Sequence, residues 1–422
     1  MQTKAKEKIN IVTLGCAKNL VDSEVLMTQL KGNKKDVFHQ REDINPDIVI
    51  INTCGFIDKA KQESIDTILK HAKEKEDGII KKLYVTGCLS ERYKDDLKTD
   101  IPEVDGFYGT RDLPELLKNF EAKYRNELLG DRIITTDSHY AYLKISEGCD
   151  RPCSFCAIPL MRGRHISKPI DQIILEAKNL VRNGVREIML IAQDSTYYGI
   201  DIYKKRAMSE LLKKLSDVEG LDWIRIHYAY PAGFPMDIIE VMRERDNICN
   251  YLDIPLQHGS TNMLKIMKRG ITREKTDELI KNIRDINPEI ALRTTLIAGH
   301  PGETERDFQE MYDFVERSQF DRLGIFTYSH EEGTSAHKLE DDVPEQVKRL
   351  RSNKIMALQQ KISTKKNENK VGKTVKVLVD RVDANNYYGR TEQDSPEVDN
   401  EVIIPSKEMH LRVGDFYDVR IT

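Results

Sequence analysis

Strand-forming runs alternate with helical patterns along most of this chain, and that alternation limits the folds open to it. Four such pairs come first. INIVTLGC (9–16), PDIVIINTC (46–54), KKLYVTGC (81–88) and VDGFYG (104–109) are short, apolar runs with β-branched residues. Helical patterns follow, beginning near Asn19–Asp22, running through Asp58–Ala72, starting again at Ser90 and closing with LPELLKNF. Repeated strand–helix pairs predict an open parallel α/β sheet, because each helix carries the chain back to start the next strand in the same direction. In such a sheet the carboxyl ends of the strands lie along one rim, where ligands bind. Cys16, Cys54 and Cys88 each fall at that end of a strand, and each adjoins a glycine (Gly15, Gly55, Gly87). Three cysteines far apart in sequence are therefore expected to meet, in turns tight enough for the backbone to approach a bound group.

A polar stretch near 122–139 reads as a linker, and a second series of units follows it. Its strands are AYLKIS (141–146), EIMLIA (187–192), WIRIHY (223–228), YLDIP (251–255), IALRTTLIAG (290–299) and RLGIFT (322–327). Their helices include IDQIILEAKNLVRNG (170–184), stopped by Gly184, and ERDFQEMYDFVERS (305–318). Six consecutive units predict a partial (β/α) barrel, short of the eight that close one. A charged helix over 344–366 leads out of it. From about Val371 the runs KTVKVLVDRVD, YYGRTE, DNEVIIPS and DFYDVRIT read as a small OB-like β-barrel. A chain of 422 residues exceeds one ordinary core. The expected fold is thus α/β multidomain, divided as 1–125, 137–367 and 370–422. The KEKED run at 73–77 reads as a solvated helix end.

Composition narrows the function. Hydrophobic residues are 39% and charged residues 32%, with a net charge of −4 and a pI near 6.3. This is a globular composition without a basic nucleic-acid footprint. The N-terminal MQTKAKEKINIVTLG has no apolar core of a secretory signal, and no run is long enough to span a bilayer, so a cytoplasmic location and no membrane partner are expected. The chain has seven cysteines. An odd count in a reducing compartment points to metal or redox chemistry rather than to disulfides.

The second group of cysteines sits in SEGCDRPCSFCAIP (146–159), where Cys149, Cys153 and Cys156 are spaced C-x3-C-x2-C. They follow the first barrel strand at its carboxyl end, where barrel active sites lie. A structural zinc would need a fourth ligand, such as His165, and zinc ligands usually come as CxxC pairs. No second pair is present. A cluster of four irons and four sulfides held by three thiolates keeps one iron open to substrate.

This motif, with Phe155 before its last cysteine and a six-unit barrel around it, resembles the radical S-adenosylmethionine superfamily. LGCAKNLVDSE (14–24), NTCGFI (52–57) and VTGCLSER (85–92) resemble the N-terminal domain of methylthiotransferases, and the final β-barrel resembles a TRAM domain. The likeness covers all three parts of the chain. The form of LGCAKNLVDSE, and AIP after Cys156, are similar to the RimO type. That type acts on a small-subunit ribosomal protein, whereas the tRNA-modifying MiaB type more often shows Gln–Met–Asn after its first cysteine.

The resemblance implies two 4Fe-4S clusters and S-adenosylmethionine as cofactors. One cluster would be held by Cys149, Cys153 and Cys156, its open iron chelated by the amino and carboxylate groups of S-adenosylmethionine, whose cleavage gives a 5′-deoxyadenosyl radical. The other would be held by Cys16, Cys54 and Cys88 and would carry the sulfur. Without the resemblance, those three read equally well as buried core thiols. The implied reaction replaces a hydrogen on the β-carbon of an aspartate of the ribosomal protein by S–CH3, using two S-adenosylmethionine molecules. An electron donor such as a flavodoxin or ferredoxin is implied as well. The ribosomal protein could be met free or on the ribosome.

Other residues carry weaker signals. Gln193 and Asp194 end the second barrel strand, and either could bind the cofactor, with a capping aspartate as the plain alternative. Gly299 lies in LIAGHPGE (296–303), which resembles the stretch that approaches the adenine in this superfamily, with a plain glycine-rich turn as the alternative. Arg162 and Arg164 could pair with a cofactor or substrate carboxylate, with plain surface arginines as the equal alternative. His227, His258 and His300 read as packed histidines, and Cys249 as a core thiol. From Val371 onward seven basic residues face ten acidic ones, a net of −3. An OB-type domain that grips RNA needs a basic groove, so direct tRNA binding is disfavoured and a basic protein partner is expected. The competing readings are a tRNA methylthiotransferase, which a basic patch on the last domain would favour, and a non-enzymatic iron–sulfur scaffold. Electron carriers normally saturate their irons, which argues against the scaffold.

Overall fold

The computed structural model describes residues 7–407 and 409–422. Residues 1–6, which open the segment read for a targeting signal, and Glu408, one of the ten acidic residues of the last domain, lie outside the described residues. The first sheet has strands β1 (Lys8–Thr13), β2 (Asp36–His39), β3 (Ile48–Thr53), β4 (Lys82–Gly87) and β5 (Gly106–Phe107), in the order β2-β1-β3-β4-β5. All of these strands pair in parallel. All six residues of β3 are buried, because both faces of the sheet are covered. Ile48 and Ile50 join one core with residues of helices α1 (Ala17–Gly32) and α4 (Leu113–Lys118). Val49 and Ile51 join another with residues of α2 (Asp58–Glu76) and α3 (Cys88–Asp100). The strand β2 was not anticipated: DVFH is too short to show a period.

The stretch 122–136 is not a loose linker. Arg132 is buried, with its Nε 3.3 Å from the carboxylate of Glu24, itself buried on α1. The backbone N–H of Thr135 donates to the same carboxylate at 2.7 Å. Burial of Glu24 on a packed helix face demands such partners, and they draw a polar sequence inward.

The described chain forms two units: the described part of 1–136 with 142–150 and 156–180, and 137–141 with 151–155 and 181–422. Strand β6 (Tyr140–Lys144) leads to β7 (Ser146–Glu147), which pairs antiparallel with β8 (Ile166–Ser167). Helix α5 (Ile158–Arg162) lies in the loop between them, and α6 (Ile170–Arg182) follows. The remaining barrel strands are β9 (Glu187–Ile191), β10 (Trp223–Ile226), β11 (Ile248–Asp253), β12 (Ala291–Ala298) and β13 (Arg322–Thr327). With β6 they form a six-stranded sheet in the order β13-β12-β11-β10-β9-β6, the partial barrel expected. Strands β14 (Thr374–Val382), β15 (Asn386–Arg390), β16 (Val402–Pro405) and β17 (Phe416–Arg420) make a final antiparallel sheet, β16-β15-β14-β17. It encloses a small core of Val377, Val379, Tyr387, Ile404 and Leu411.

Within the second unit this last sheet is fastened to the amino ends of the barrel strands. Leu378 and Phe416 pack with Trp223, Cys249, Tyr251 and Ala291. Beneath them runs a chain of buried charges. Arg225 donates to Glu187 at 2.9 Å, Arg390 pairs with Glu187 at 2.7 Å, and Arg390 also donates to Asp380 at 2.7 and 2.9 Å. Asp380 in turn hydrogen-bonds His139 at 2.8 Å.

These contacts change the reading of the domain's charge. Asp380, Glu392, Asp394, Asp399 and Asp415 all bond barrel residues (His139, Asn250, Arg322, Tyr251 and Arg186 respectively). Lys373, Lys376, Lys407, Arg412 and Arg420 are exposed. Five of the domain's carboxylates are thus directed inward, while Asp383, Glu397, Glu401 and Asp418 are exposed, as those cations are.

Burial alone would push the Glu187 carboxyl up, but Arg390 and Arg225 hold it below its usual value. Asp380 is likewise desolvated and is held down by His139 and Arg390. A carboxylate depressed in the folded state adds stability above its unfolded pKa and loses it as pH falls through the folded value. Arg390→Met should therefore cost about 3–5 kcal/mol in urea melts at pH 7, the cost of breaking a buried pair. The deficit should shrink as the pH falls below the carboxylate range.

Candidate metal centres at two cysteine triplets

The first triplet lies on the carboxyl rim of the first sheet. Between β1 and β3 the strand order reverses, which in open sheets opens a ligand crevice. Cys16 is the N-cap of α1, Cys54 directly follows β3, and Cys88 opens α3. The glycines show how closely the three turns approach. A Cβ on Gly15 (φ +90°) would lie 2.6 Å from Cβ and 2.9 Å from Sγ of Cys54, and one on Gly55 would lie 2.9 Å from the backbone of Leu89. At Gly87 (φ +100°) it would meet Asn52 and Thr53 at 2.5 Å. Ser64 fixes the Cys54 turn, accepting from its N–H at 3.0 Å and donating to its carbonyl at 2.9 Å.

The thiols are electrostatically unequal. Cys16 is exposed as a residue; desolvation of its thiol would raise it, but Lys18, Arg162 and the backbone N–H groups of Asn19 and Lys18 at the start of α1 bring it below its ordinary value. Burial raises Cys54, and it pushes Cys88 up to about 12. Among the described residues, no group of three or more His, Cys, Asp or Glu side chains closes on a metal ion directly. The donor set nevertheless suits an iron–sulfur cluster: three thiols that interact electrostatically, with cationic neighbours.

Arg162, expected near a cofactor or substrate carboxylate, is placed here beside Cys88. It is buried, and its Nε donates to Cys88 Sγ at 3.3 Å. Its Nη1 donates to Asp22 at 2.7 Å and to Glu147 at 3.2 Å, and its Nη2 to Asn19 Oδ1. Asn19 also donates to the carbonyls of Leu14 and Thr53, at 2.7 and 3.0 Å, so it ties the ends of β1 and β3 together. Asn19 and Asp22 went unassigned in the sequence. Their signal was there, since Cys16, Asn19 and Asp22 stand three residues apart on one helix face.

The second triplet lies in the loop between β7 and β8. In the first unit, Cys149 N–H donates to Gly163 O at 3.0 Å, and Ala157, Ile158 and Met161 pack against Cys88. In the second unit, Cys153 Sγ accepts from Arg269 at 3.2 Å and lies 3.7 Å from the hydroxyl of Tyr230. The Tyr230 ring is sandwiched by the guanidinium groups of Arg151 at 4.1 Å and Arg269 at 4.3 Å. Neither Tyr230 nor Arg269 had a sequence signal, because their closeness to Cys153 is purely tertiary.

The remaining expected residues have visible structural duties. Asp194 caps the turn Ser195–Tyr197, accepting from Thr196 N–H at 2.9 Å, and pairs with Arg151 at 2.7 Å. Gln193 is half-buried beside it. Gly299 has φ +77°, its N–H donates to Glu303 at 2.8 Å, and a Cβ there would run into the stem of Lys348. Phe155 stands edge-on to His300, with centroids 6.4 Å apart. His300 bonds Ser154, His258 bonds Glu303 and His227 bonds Ser395, as expected of packed histidines. His165 bonds Ser167. Cys249 is a buried core thiol, pushed up to about 12 by burial.

The Radical SAM superfamily matches residues 143–315, the Uncharacterized protein family UPF0004 residues 8–109, and the TRAM domain residues 371–422. A ribosomal protein uS12 methylthiotransferase RimO from Cytophaga hutchinsonii is 60% identical over 416 residues, 99% of this chain and 95% of the relative. The chain belongs to the uS12 methylthiotransferase family. A second member, from Christiangramia forsetii, is 58% identical over 423 residues, covering 100% of this chain and 93% of its own. Among solved structures, the radical S-adenosylmethionine methyltransferase TsrM from Kitasatospora setae aligns with a TM-score of 0.55 at 14% identity. It covers 76% of this chain and 75% of its own, and shows a shared fold. As a member of the uS12 methylthiotransferase family, the chain is a radical SAM enzyme with a TRAM domain.

The unequal thiols give a direct test in metal-free, folded protein. Of the first three cysteines, Cys16 should be alkylated first at neutral pH, ~10-fold or more ahead of the buried Cys54 and Cys88, because the thiolate is the reactive form. Peptide mapping after timed iodoacetamide labelling reads the order.

Proposed function

We propose that this chain inserts a methylthio group on the β-carbon of an aspartate of ribosomal protein uS12. The observation that carries the reading is the likeness to uS12 methylthiotransferases over 99% of the chain. The three parts, 1–125, 137–367 and 370–422, would hold the sulfur-carrying cluster, perform the radical chemistry and help recognise the substrate. When bound, two 4Fe-4S clusters and S-adenosylmethionine supply the one-electron cleavage, the sulfur and the methyl group.

The chain's own residues hold and shape the sites. Cys16, Cys54 and Cys88 are the ligands of one cluster, and their glycine-lined turns let it approach the backbone. Cys149, Cys153 and Cys156 are the ligands of the other. Arg151, held by Asp194 and stacked on Tyr230, keeps positive charge beside Cys153. Three thiolates per cluster leave one iron free of protein at each site, and an unactivated C–H lies beyond any acid–base pair. The setting is cytoplasmic, and a small electron donor such as a flavodoxin or ferredoxin completes the system.

One observation favours a second reading. The exposed cations of the last domain, Lys373, Lys376, Lys407, Arg412 and Arg420, suit RNA phosphates, and so tRNA as the substrate. An anaerobic competition decides between the two. Reconstituted enzyme with reductant, sulfide and S-adenosylmethionine is given both uS12 and unmodified tRNA, and mass spectrometry seeks one hydrogen replaced by S–CH3. The gain is expected on a uS12 aspartate; a gain on tRNA alone would overturn the assignment.

Two variants test the division of labour. Cys153→Ala should abolish 5′-deoxyadenosine formation and leave the first cluster in place, as iron content reads. Cys54→Ala should keep the cleavage and yield no methylthio product.

A further inference from the structure

Arg162 makes four bonded contacts that no single role in binding a carboxylate explains. Its three nitrogens reach four different groups: Nε the Cys88 sulfur, Nη2 Asn19, and Nη1 both Asp22 and Glu147. Only a guanidinium has this fixed fork of donors; a lysine ammonium is a single point. The side chain is 1% exposed, so these contacts are made out of water, where both the charge and the direction of each N–H count most.

The partners lie on segments that serve both cysteine triplets. Cys88 is in the first. Asn19 and Asp22 stand on α1, whose N-cap is Cys16. Glu147 is two residues ahead of Cys149, and Arg162 itself ends the helix that begins just past Cys156. Lys144 bonds Asp22 and Glu147 as well, the latter at 2.6 Å, so two cations and two carboxylates form one closed set. The N–H to sulfur bond is left as the contact that reaches a metal ligand.

We propose that Arg162 is a positioning residue that binds the Cys88 thiolate to the segment leading into Cys149, and thereby sets the reduction potential of the cluster on Cys16, Cys54 and Cys88. This rests on the ligand reading given under the proposed function. Hydrogen bonds to cysteine sulfur are a main determinant of iron–sulfur potentials, and outer partners of ligands tune metal sites generally. A donated N–H and a nearby positive charge both favour the reduced, more negative cluster. Arg162 therefore raises the potential, while Asp22, acting through Arg162, restrains that rise.

The test uses the full chain with Cys149, Cys153 and Cys156 all changed to Ala, so that one cluster remains to be titrated. After reconstitution, iron content is measured and the midpoint potential is read by EPR-monitored redox titration. Arg162→Lys keeps the charge that Asp22 and Glu147 need, and loses the directed Nε donor. Its midpoint should fall at unchanged iron content. Asp22→Asn should move the midpoint the other way, upward. A merely structural role would not produce shifts of opposite sign. If Arg162→Lys does not fold, Asp22→Asn alone carries the decision, and an unmoved midpoint there overturns the proposal. Unchanged midpoints in both variants, with iron bound, overturn it and leave the ligand assignment standing. A parent protein that binds no iron overturns the ligand assignment and this proposal with it.

Discussion

A parallel sheet brings every turn that follows a strand to the same edge, and the placement of three distant cysteines on one rim depends on that constraint. Cys16, Cys54 and Cys88 are separated by whole strand–helix units, yet each occupies the first turn after its strand. Twisted, hydrogen-bonded strands fix the positions of their own ends more firmly than any loop can. The rim is thus a rigid place to bring together ligands from distant parts of the chain. The close approach of the turns then excludes side chains at Gly15, Gly55 and Gly87, where an added Cβ would meet the neighbouring turn at 2.5 to 2.9 Å.

Buried arginines are the second theme. Arg162 meets Cys88, Arg269 meets Cys153, and Arg225 with Arg390 encloses Glu187. A desolvated cation is costly unless it is paired in good geometry. Each of these guanidinium groups has directed partners in more than one direction, which suits the planar fork. At Cys88 burial raises the thiol and the guanidinium of Arg162 only partly offsets it. At the amino ends of the barrel strands the same arrangement joins the last domain to the barrel. Within the second unit, Cys153 lies by Tyr230 and Arg269, beyond the carboxyl ends of β10 and β11. The last domain covers the opposite, amino ends. Strands of four to eight residues separate the two (β10 and β12), roughly 13–26 Å at about 3.3 Å per residue. The last domain is therefore part of the barrel's architecture, at the end opposite Cys153.

Much of the architecture was readable in the sequence because its signals are local. RLGIFT and ERDFQEMYDFVERS match β13 and the helix Glu305–Ser318 in full, since period and capping are written within a few residues. The strand-end placement of the cysteines was readable for the same reason. The strand β2 was missed because four residues hold no period. The inward turn of 122–136 was missed because it depends on a buried glutamate a hundred residues earlier. The acidity of the last domain was counted correctly, but the inward placement of five carboxylates was not legible, because composition does not say which face a carboxylate occupies.

By itself the sequence determined the alternating strand–helix plan, the six-stranded barrel, the final β-sheet and the two sets of three cysteines. All of these follow from short-range pattern. Only the tertiary structure decided what Arg162 and Arg269 touch, why Asn19 is buried and where the charges of the last domain point. Arg162 lies 74 residues from Cys88, 140 from Asp22 and 15 from Glu147. No local period carries such distances. A guanidinium takes the partners that packing presents to it, and packing is settled by the whole chain at once.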